Sequence, residues 1–266
     1  MNTVVLISHH NNLTGLRSSL DSIYHKVGID VLIIDDGSNQ KNKPTYGNLR
    51  PHLNPGLDIK ILYLEENKGI SDALNIGLRH IFKLNKHKFV ARLDCGDTCV
   101  ANRFSIQEDY LLQHPEVGIV GSWVRWLDKD SKKEVFTYTP PCDHKTIKKK
   151  MSIRCSIIHP TVMYRLESIK KTGLYPTSFT AAEDYAYFFK IMKKNKVANI
   201  PKYLTNLEYN QEGITAKNKK KQDRNKLKII LSYGHRDLYL VYGVLYNLVL
   251  ISTPDKLVHK IKTIVR

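Results

Sequence analysis

Acidic side chains follow two predicted strands of this chain, where each strand ends. Asp35 and Asp36 close one β-branched run, and Asp94 and Asp97 follow another apolar run. Carboxylates in such positions can hydrogen-bond the ribose or base of a nucleotide, or hold Mg²⁺ or Mn²⁺ beside a diphosphate. A cation there neutralises the charge that builds on a diphosphate leaving group. The tetrapeptide Asp35–Ser38 alone is also typical of a turn with a helix cap, and that alternative stays open.

Strands that alternate with helices would bring these carboxylates together. The first third of the chain predicts strands at Thr3–Ser8, Asp30–Asp35, Ile59–Leu64 and Phe89–Leu93, and helices at Leu13–Tyr24 and Gly69–Leu84. This alternation favours βαβ units and a mostly parallel sheet, and the continuous apolar runs are typical of strands buried on both faces. Ligands of open parallel sheets bind beyond the carboxyl ends of the strands. The ends of the first, second and fourth strands would therefore form a site.

Further elements are predicted after residue 100. They are helices at Ala101–Gln113, His144–Met151 and Ala182–Lys194, and strands at Val117–Trp123, Glu134–Thr139 and Ile157–Tyr164, the last interrupted by Pro160. After about residue 215 the composition changes, because a lysine-rich segment, an aromatic-aliphatic run and a second basic stretch follow one another. We therefore expect an α/β domain at 1–215 and a basic, amphipathic helical appendage at 216–266.

Composition and missing motifs narrow the class of protein. The 266 residues include 42 Lys+Arg against 25 Asp+Glu, a net charge of +17, which indicates an anionic partner or simply a basic proteome. The four cysteines lack zinc-site spacing, which favours reduced thiols in the cytoplasm, and the N-terminus does not resemble a signal peptide. Neither G-x-G-x-x-G after the first strand nor a P-loop motif occurs, which argues against dinucleotide dehydrogenases and P-loop enzymes.

Two further groups of side chains receive a structural interpretation. His9 and His10 follow the first strand without metal-ligand partners at a recognisable spacing, so we expect polar loop residues. The residues Tyr185, Phe188, Phe189 and Met192 recur at helical spacing, and we expect them in the core rather than in a substrate platform.

Six blocks of the sequence stand in a characteristic order. They are Val31–Ser38, Asn67–Leu78, Ala91–Asp97 with Asn102–Phe104, His114–Ser122, His159–Met163 and Ala182–Tyr185. In this order they resemble the family 2 glycosyltransferases of GT-A fold, especially the bacterial surface-polysaccharide enzymes of the O-antigen and capsule type. The resemblance implies a Rossmann-like α/β domain with a nucleotide-sugar half near 1–100 and an acceptor half near 101–215. It also implies an inverting, metal-dependent transfer of a sugar from a nucleotide diphosphate sugar.

The resemblance also assigns roles to single residues. Asp184 would be the base that deprotonates the acceptor hydroxyl for in-line attack, although a carboxylate there could simply favour the helix dipole. The other implied residues are Asp94 and Asp97 for Mn²⁺ or Mg²⁺, Ser8, Asp35, Asp36, Asn67, Gly69 and Arg92 for the nucleotide, and His159 and Glu183 for the acceptor. One position departs from the family pattern, because the second aspartate of D-x-D is Gly96. Either Asp97 takes part of the metal role, or Asp94 and the diphosphate hold the ion with more water.

Donor, acceptor and location follow from the same resemblance. It implies a UDP-hexose such as UDP-galactose or UDP-glucose, and an acceptor glycan linked to undecaprenyl diphosphate. Alternatives are a dTDP-rhamnose-using rhamnosyltransferase of the same fold, an inactive carbohydrate-binding relative, and a basic nucleic-acid-binding protein. The last would need basic or aromatic residues on a readable motif, and the lysines cluster outside any, so we expect no nucleic acid.

The tail predicts contact with a membrane surface. The uncharged run Leu238–Pro254 is shorter than the ~20 apolar residues of a spanning helix. It favours an interfacial helix, with Lys217–Lys228 and Lys256–Arg266 facing anionic lipid. Alternatively, these helices pack on the domain with a solvated basic face. The expected location is the cytoplasm, peripherally on the inner face of the bacterial cell membrane.

Overall fold

A computed structural model of the chain describes residues 2–100, 102–209, 219–234 and 237–253. The strands are β1 Thr3–His9, β2 Ile29–Asp36, β3 Leu57–Leu64, β4 Phe89–Arg92, β5 Thr98–Cys99, β6 Val117–Asp128, β7 Glu134–Tyr138, β8 Met163–Arg165 and β9 Lys196–Tyr209. The helices are α1 Leu13–Asp21, α2 Tyr46–Leu49, α3 Ile70–Leu84, α4 Arg103–Gln113, α5 His144–Met151, α6 Leu166–Thr172, α7 Glu183–Met192, α8 Lys219–Tyr233 and α9 Leu238–Ser252.

The strands of this part of the chain form one sheet. Its order is β3-β2-β1-β4-β8-β6-β9-β5, with β7 beside β6. β3, β2, β1 and β4 are parallel neighbours, and the predicted α/β fold class is confirmed. The second half of the sheet is mixed rather than parallel, since β8 runs antiparallel to both β4 and β6, while β9 runs parallel to β6. β6 and β7 are joined by a short turn, which antiparallel neighbours allow and parallel ones do not.

Hydrophobic layers cover both faces of the parallel strands. Leu6 of β1 packs in one layer with helices α3 and α7, whereas its neighbours Val5 and Ile7 pack in the other layer with helices α1 and α4. Successive side chains of a strand point to opposite faces, so an uninterrupted apolar strand serves both layers. This burial confirms the prediction of strands covered on both sides, and it leaves the strand ends as the accessible polar edge.

Several predicted elements differ from the structure. The strand predicted at Ile157–Tyr164 is wrong: a 3₁₀ turn at His159–Thr161 precedes the short strand β8. Pro160 provides no N–H for a ladder, which explains why the strand begins only after it. The sequence pattern also missed β9, a 14-residue strand that contains Pro201 and pairs with β6 through register shifts.

The two C-terminal helices contact the domain. Ile229 and Ile230 of α8 are completely buried in the main core, and the ring of Tyr233 stacks on that of Phe189. α9 packs on the end of α5, where Asn247 Nδ2 donates to the carbonyl of Ile153 at 3.1 Å. Both helices therefore pack on the α/β domain through their inner faces, which was the alternative to a membrane-facing tail. The expected boundary at 215/216 and the basic segment 256–266 lie outside the described residues.

Candidate active site

The ends of β1 and β2 hold a buried histidine–aspartate pair. His9 lies opposite Asp35 in the parallel ladder, and Nδ1 of His9 is 2.9 Å from Oδ1 of Asp35. Both side chains are buried. Because Nε2 of His9 accepts the backbone N–H of Asn12 at 3.3 Å, the ring proton is on Nδ1 and is donated to Asp35. The prediction of a polar loop residue is thus wrong for His9, which orients the carboxylate of Asp35.

Asp36 connects the end of β2 to the loop before α3. Its carboxylate oxygens accept the backbone N–H groups of Lys68 at 2.7 Å and Gly69 at 2.9 Å. The next residue, Gly37, has a φ of +66°, and a Cβ there would come within 2.4 Å of the carbonyl carbon of Glu66. Glycine therefore permits the close approach of these two segments. The loop brings Asn67 and Gly69 to the same edge as Asp36, as the sequence predicted.

Arg92 lies beneath the site rather than on its surface. Its side chain is completely buried, and its guanidinium donates to the carbonyl of Leu6 and to the carboxylate of Asp94. The side chain of Asp94 is 34% exposed. Arg92 therefore orients Asp94, and any part that it takes in nucleotide binding acts through that carboxylate. The predicted base-pocket residue Ser8 is half-buried at the end of β1, where its carbonyl accepts from the Cys95 thiol.

The carboxylate of Asp97 contacts strand β9. Its Oδ1 accepts the backbone N–H of Glu208 at 2.8 Å. Burial, followed by the charge of Asp94, raises the pKa of Asp97 well above its ordinary value. The carboxylate of Glu208 in turn lies against Gly96, since a Cβ on that glycine would be 3.1 Å from Oε2. The sequence gives no signal for Glu208, because only the fold brings β9 beside this turn.

Asp184 stands at the start of α7. It is half-buried, and its Oδ1 accepts the N–H of Tyr185 at 2.7 Å. Ala181, three residues earlier, has a φ of +67°, a conformation that residues with a Cβ rarely adopt and that concentrates at functional sites. The neighbouring Glu183 is buried, and burial followed by the charge of Asp184 raises the pKa of Glu183.

The charges of Asp94 and Asp184 both act on a buried histidine–tyrosine pair. Nε2 of His159 is 2.9 Å from the hydroxyl of Tyr175. Burial and, after it, the charge of Arg92 lower the pKa of His159 to about 4, although the charges of Asp94 and Asp184 act in the opposite direction. His159 is therefore neutral at physiological pH. Since both carboxylates act on this ring, the fold brings the predicted metal side and the predicted base side to one place.

The sequence model described as Glycosyl transferase family 2 matches residues 4–173. The chain belongs to this family. The match includes β1 to β4 and the turn from Asp94 to Asp97, and it ends before α7. The chain is therefore a glycosyltransferase. Asp184, which the family resemblance predicts to be the base, lies outside the matched segment.

Two relatives of this family 2 enzyme are bacterial glycosyltransferases. It is 28% identical over 205 residues to "Amylovoran biosynthesis glycosyltransferase AmsE" of Erwinia amylovora, covering 75% of this chain and 73% of that protein. It is 30% identical over 211 residues to the "UDP-Gal:alpha-D-GlcNAc-diphosphoundecaprenol beta-1,3-galactosyltransferase" of Escherichia coli, covering 74% and 70%.

The fold is also that of solved glycosyltransferases. The mannosyltransferase PcManGT of Pyrobaculum calidifontis, solved with GDP-Man and Mn²⁺, superposes with a TM-score of 0.67 at 15% identity, covering 98% of this chain and 73% of that one. At such low identity the likeness concerns the fold alone, and it agrees with the predicted GT-A architecture.

The carboxylate oxygens of the family 2 site suit a cation that binds together with the nucleotide sugar. In the part of the chain that the structure describes, no three His, Cys, Asp or Glu side chains converge as a ready metal site. Mg²⁺ and Mn²⁺ accept oxygen ligands and are commonly held by one or two carboxylates plus substrate phosphates. Asp94 is partly exposed and presents such an oxygen at the strand end. The residues present therefore fit a cation whose coordination the diphosphate completes.

Proposed function

We propose that this family 2 glycosyltransferase transfers a hexose, with inversion, from a UDP-sugar to a lipid-linked glycan in bacterial polysaccharide synthesis. The observation that carries the proposal is the convergence of Asp35, Asp36 and Asp94 at one sheet edge. The charge of Asp184, at the start of α7, acts together with that of Asp94 on the buried ring of His159. The galactosyltransferase relative, whose name gives UDP-Gal as donor and a diphosphoundecaprenol-linked sugar as acceptor, supports the choice of substrates.

The N-terminal half would bind the nucleotide through side chains that are already oriented. Asp35 is held by the Nδ1–H of His9, and Asp36 is held by two backbone amides of the 66–69 loop. Carboxylates fixed in this way can accept hydrogen bonds from the base or the ribose without a further ordering cost. A divalent cation bound at the Asp94–Asp97 turn would neutralise charge on the departing diphosphate.

Asp184 would act on the acceptor. Its carboxylate takes the proton of the acceptor hydroxyl as the oxygen forms a bond to the anomeric carbon of the donor. The bond from that carbon to the diphosphate breaks on the opposite face, and its electron pair leaves with UDP. The configuration is therefore inverted in one step, so a single base suffices and no sugar–enzyme intermediate is needed. Such a base must lie within hydrogen-bonding reach of the proton.

The donor proposal predicts selective turnover of uridine nucleotides. Incubation with UDP-galactose, UDP-glucose, dTDP-rhamnose and GDP-mannose should release UDP from a UDP-hexose faster than nucleotide from the others. The measurement is nucleotide release with and without a membrane extract as a source of acceptor. Faster release from dTDP-rhamnose would assign the alternative donor. A salt-dependent shift of DNA with no nucleotide release would contradict the enzymatic proposal.

The outer face of α9 supports contact of the enzyme with a membrane surface. Its exposed apolar residues are Leu238, Tyr239, Val241, Tyr242, Leu245, Leu248, Val249 and Ile251. Lysines border this face, since the ammonium of Lys149 on α5 lies 5.2 Å from the ring centre of Tyr239, and Lys148 and Lys150 flank it in sequence. Within the described residues, every helix falls short of the length and apolar character needed to cross a bilayer. An apolar face with basic borders suits the interface of an anionic bilayer.

We expect the protein to sediment with vesicles that contain phosphatidylglycerol and much less with neutral vesicles. Raising the salt concentration should weaken the binding, because lysine–lipid attraction is screened. The double variant Leu245→Ser/Leu248→Ser should bind these vesicles several-fold more weakly. The variant Leu112→Ser, at an exposed leucine of α4, serves as the matched control. Equal sedimentation of the double variant and the parent, or none of the parent at low salt, would contradict a lipid-binding face.

A further inference from the structure

Gly96 occupies the position where the family motif has its second aspartate, and the backbone there does not suit a side chain. Its φ is +100°, a conformation that is strained for residues other than glycine. A Cβ on Gly96 would also lie 3.1 Å from Oε2 and 3.2 Å from Cδ of Glu208. The Glu208 carboxylate thus lies in close contact with the position where a side chain at residue 96 would begin.

Two contacts hold Glu208 in this place. Its backbone N–H donates to Oδ1 of Asp97 at 2.8 Å, and Asn206, two residues earlier on β9, pairs with Thr98 of β5 directly after the turn. The Glu208 side chain is 19% exposed, and among the described residues its ion-pair partner is the exposed Lys132, with Nζ at 4.0 Å from Oε2. That separation is at the outer limit of an ion pair. The backbone of Glu208 is therefore held in place, and within the described part of the chain its carboxylate has this one distant ion-pair partner.

We propose that Glu208 supplies the second carboxylate of the cation site in place of the aspartate missing at Gly96. Asp94 is the first protein ligand, and Asp97 is a positioning residue that holds the backbone of Glu208. This inference rests on the proposed function, since the donor diphosphate completes the coordination. The charge distribution agrees, because Arg92 already balances Asp94, and a second carboxylate adds negative charge and oxygen ligands that favour a divalent ion.

The test is a titration of Mn²⁺ in the presence and absence of UDP, with free Mn²⁺ measured by electron paramagnetic resonance. The parent protein should bind Mn²⁺ much more tightly with UDP than without it. Glu208→Gln should lower the Mn²⁺ affinity measured with UDP by about tenfold or more, because even outer-sphere partners cost about 10- to 100-fold in metal affinity. Its affinity for UDP without metal should not change.

Two further variants separate the roles. Asp97→Asn keeps an Oδ1 that can accept the Glu208 N–H, so its loss of Mn²⁺ affinity should be smaller than that of Glu208→Gln. Glu116→Gln is the matched control, since Glu116 also lies 4.0 Å from a lysine, Lys196, but on a remote part of the sheet. Its Mn²⁺ affinity should equal that of the parent.

Each outcome decides the inference. Parent-like Mn²⁺ affinity in Glu208→Gln, or a loss in Asp97→Asn as large as that in Glu208→Gln, would overturn it. If Glu208→Gln does not fold, Glu208→Asp replaces it, and undiminished Mn²⁺ affinity in this shorter carboxylate would also overturn the inference. Failure of the parent to bind UDP, with or without Mn²⁺, would instead overturn the proposed function.

Discussion

Replacing Asp184 by asparagine is expected to lower sugar transfer by about 10²- to 10⁴-fold, the usual contribution of a general base. Asparagine has the shape of aspartate but does not take a proton from the acceptor hydroxyl. Asp184 is not among the residues proposed to bind the nucleotide, so the affinity for UDP should stay within about twofold of the parent, as expected for sites that share no contacts. The measurements are the rate of transfer to acceptor under saturating donor and the dissociation constant of UDP.

The alternative role of Asp184, stabilisation of the α7 dipole, predicts a different result. Loss of such a charge costs about 0.3–1 kcal/mol of stability and does not act on the chemical step. Asp143→Asn is a matched control, because Asp143 caps α5 by accepting the N–H of Thr146, and asparagine caps equally well. Equal transfer rates in Asp184→Asn and the parent would rule out the base. A lower melting temperature with unchanged transfer would assign Asp184 to the dipole.

The strands of the first half of the fold can be predicted from the sequence, because each is marked by an apolar run within its own residues. β1, β2 and β4 are continuous apolar runs that contribute to two hydrophobic layers. Each run predicts a strand buried on both faces, and the helices between the strands predict their parallel direction. β9 is different. It alternates poorly, contains Pro201 and is stabilised by pairing with β6, more than 70 residues earlier in the chain. Whether a segment forms a strand depends more on such neighbours than on its own residues. The residues of β9 alone therefore do not predict this strand.

Site residues can be predicted from the sequence where they follow a strand directly, but not where pairing between distant segments brings them to the site. Asp36 and Asp94 follow strands directly, so the sheet edge that they share could be predicted. The sequence predicts a loop position for His9, because residue spacing alone does not show the parallel ladder in which His9 lies opposite Asp35. Glu208 lies 111 residues from Asp97, to which its N–H donates. A departure from a motif, such as Gly96, is the one local sign that a distant residue compensates for it.

Removal of divalent cations is the second change with a large expected effect. Addition of EDTA should lower transfer by roughly a hundredfold or more, because charge neutralisation by a metal is worth several kcal/mol, and each 1.36 kcal/mol is a factor of ten. Excess Mn²⁺ or Mg²⁺ should restore the rate. The measurement is UDP release from the preferred donor in the presence of acceptor, as a function of added metal.

The fold should survive this treatment, which separates the effect from unfolding. Without a cation, Asp94 still accepts from Arg92, and Asp97 still accepts the N–H of Glu208, so neither carboxylate is left buried without a partner. The melting temperature in EDTA should therefore equal that in buffer. Added UDP should raise the melting temperature more when Mn²⁺ is present than when it is absent, since bound ligand stabilises the folded state. Full transfer activity in chelator would remove the cation from the mechanism. Cationic side chains of the protein would then have to balance the charge of the diphosphate.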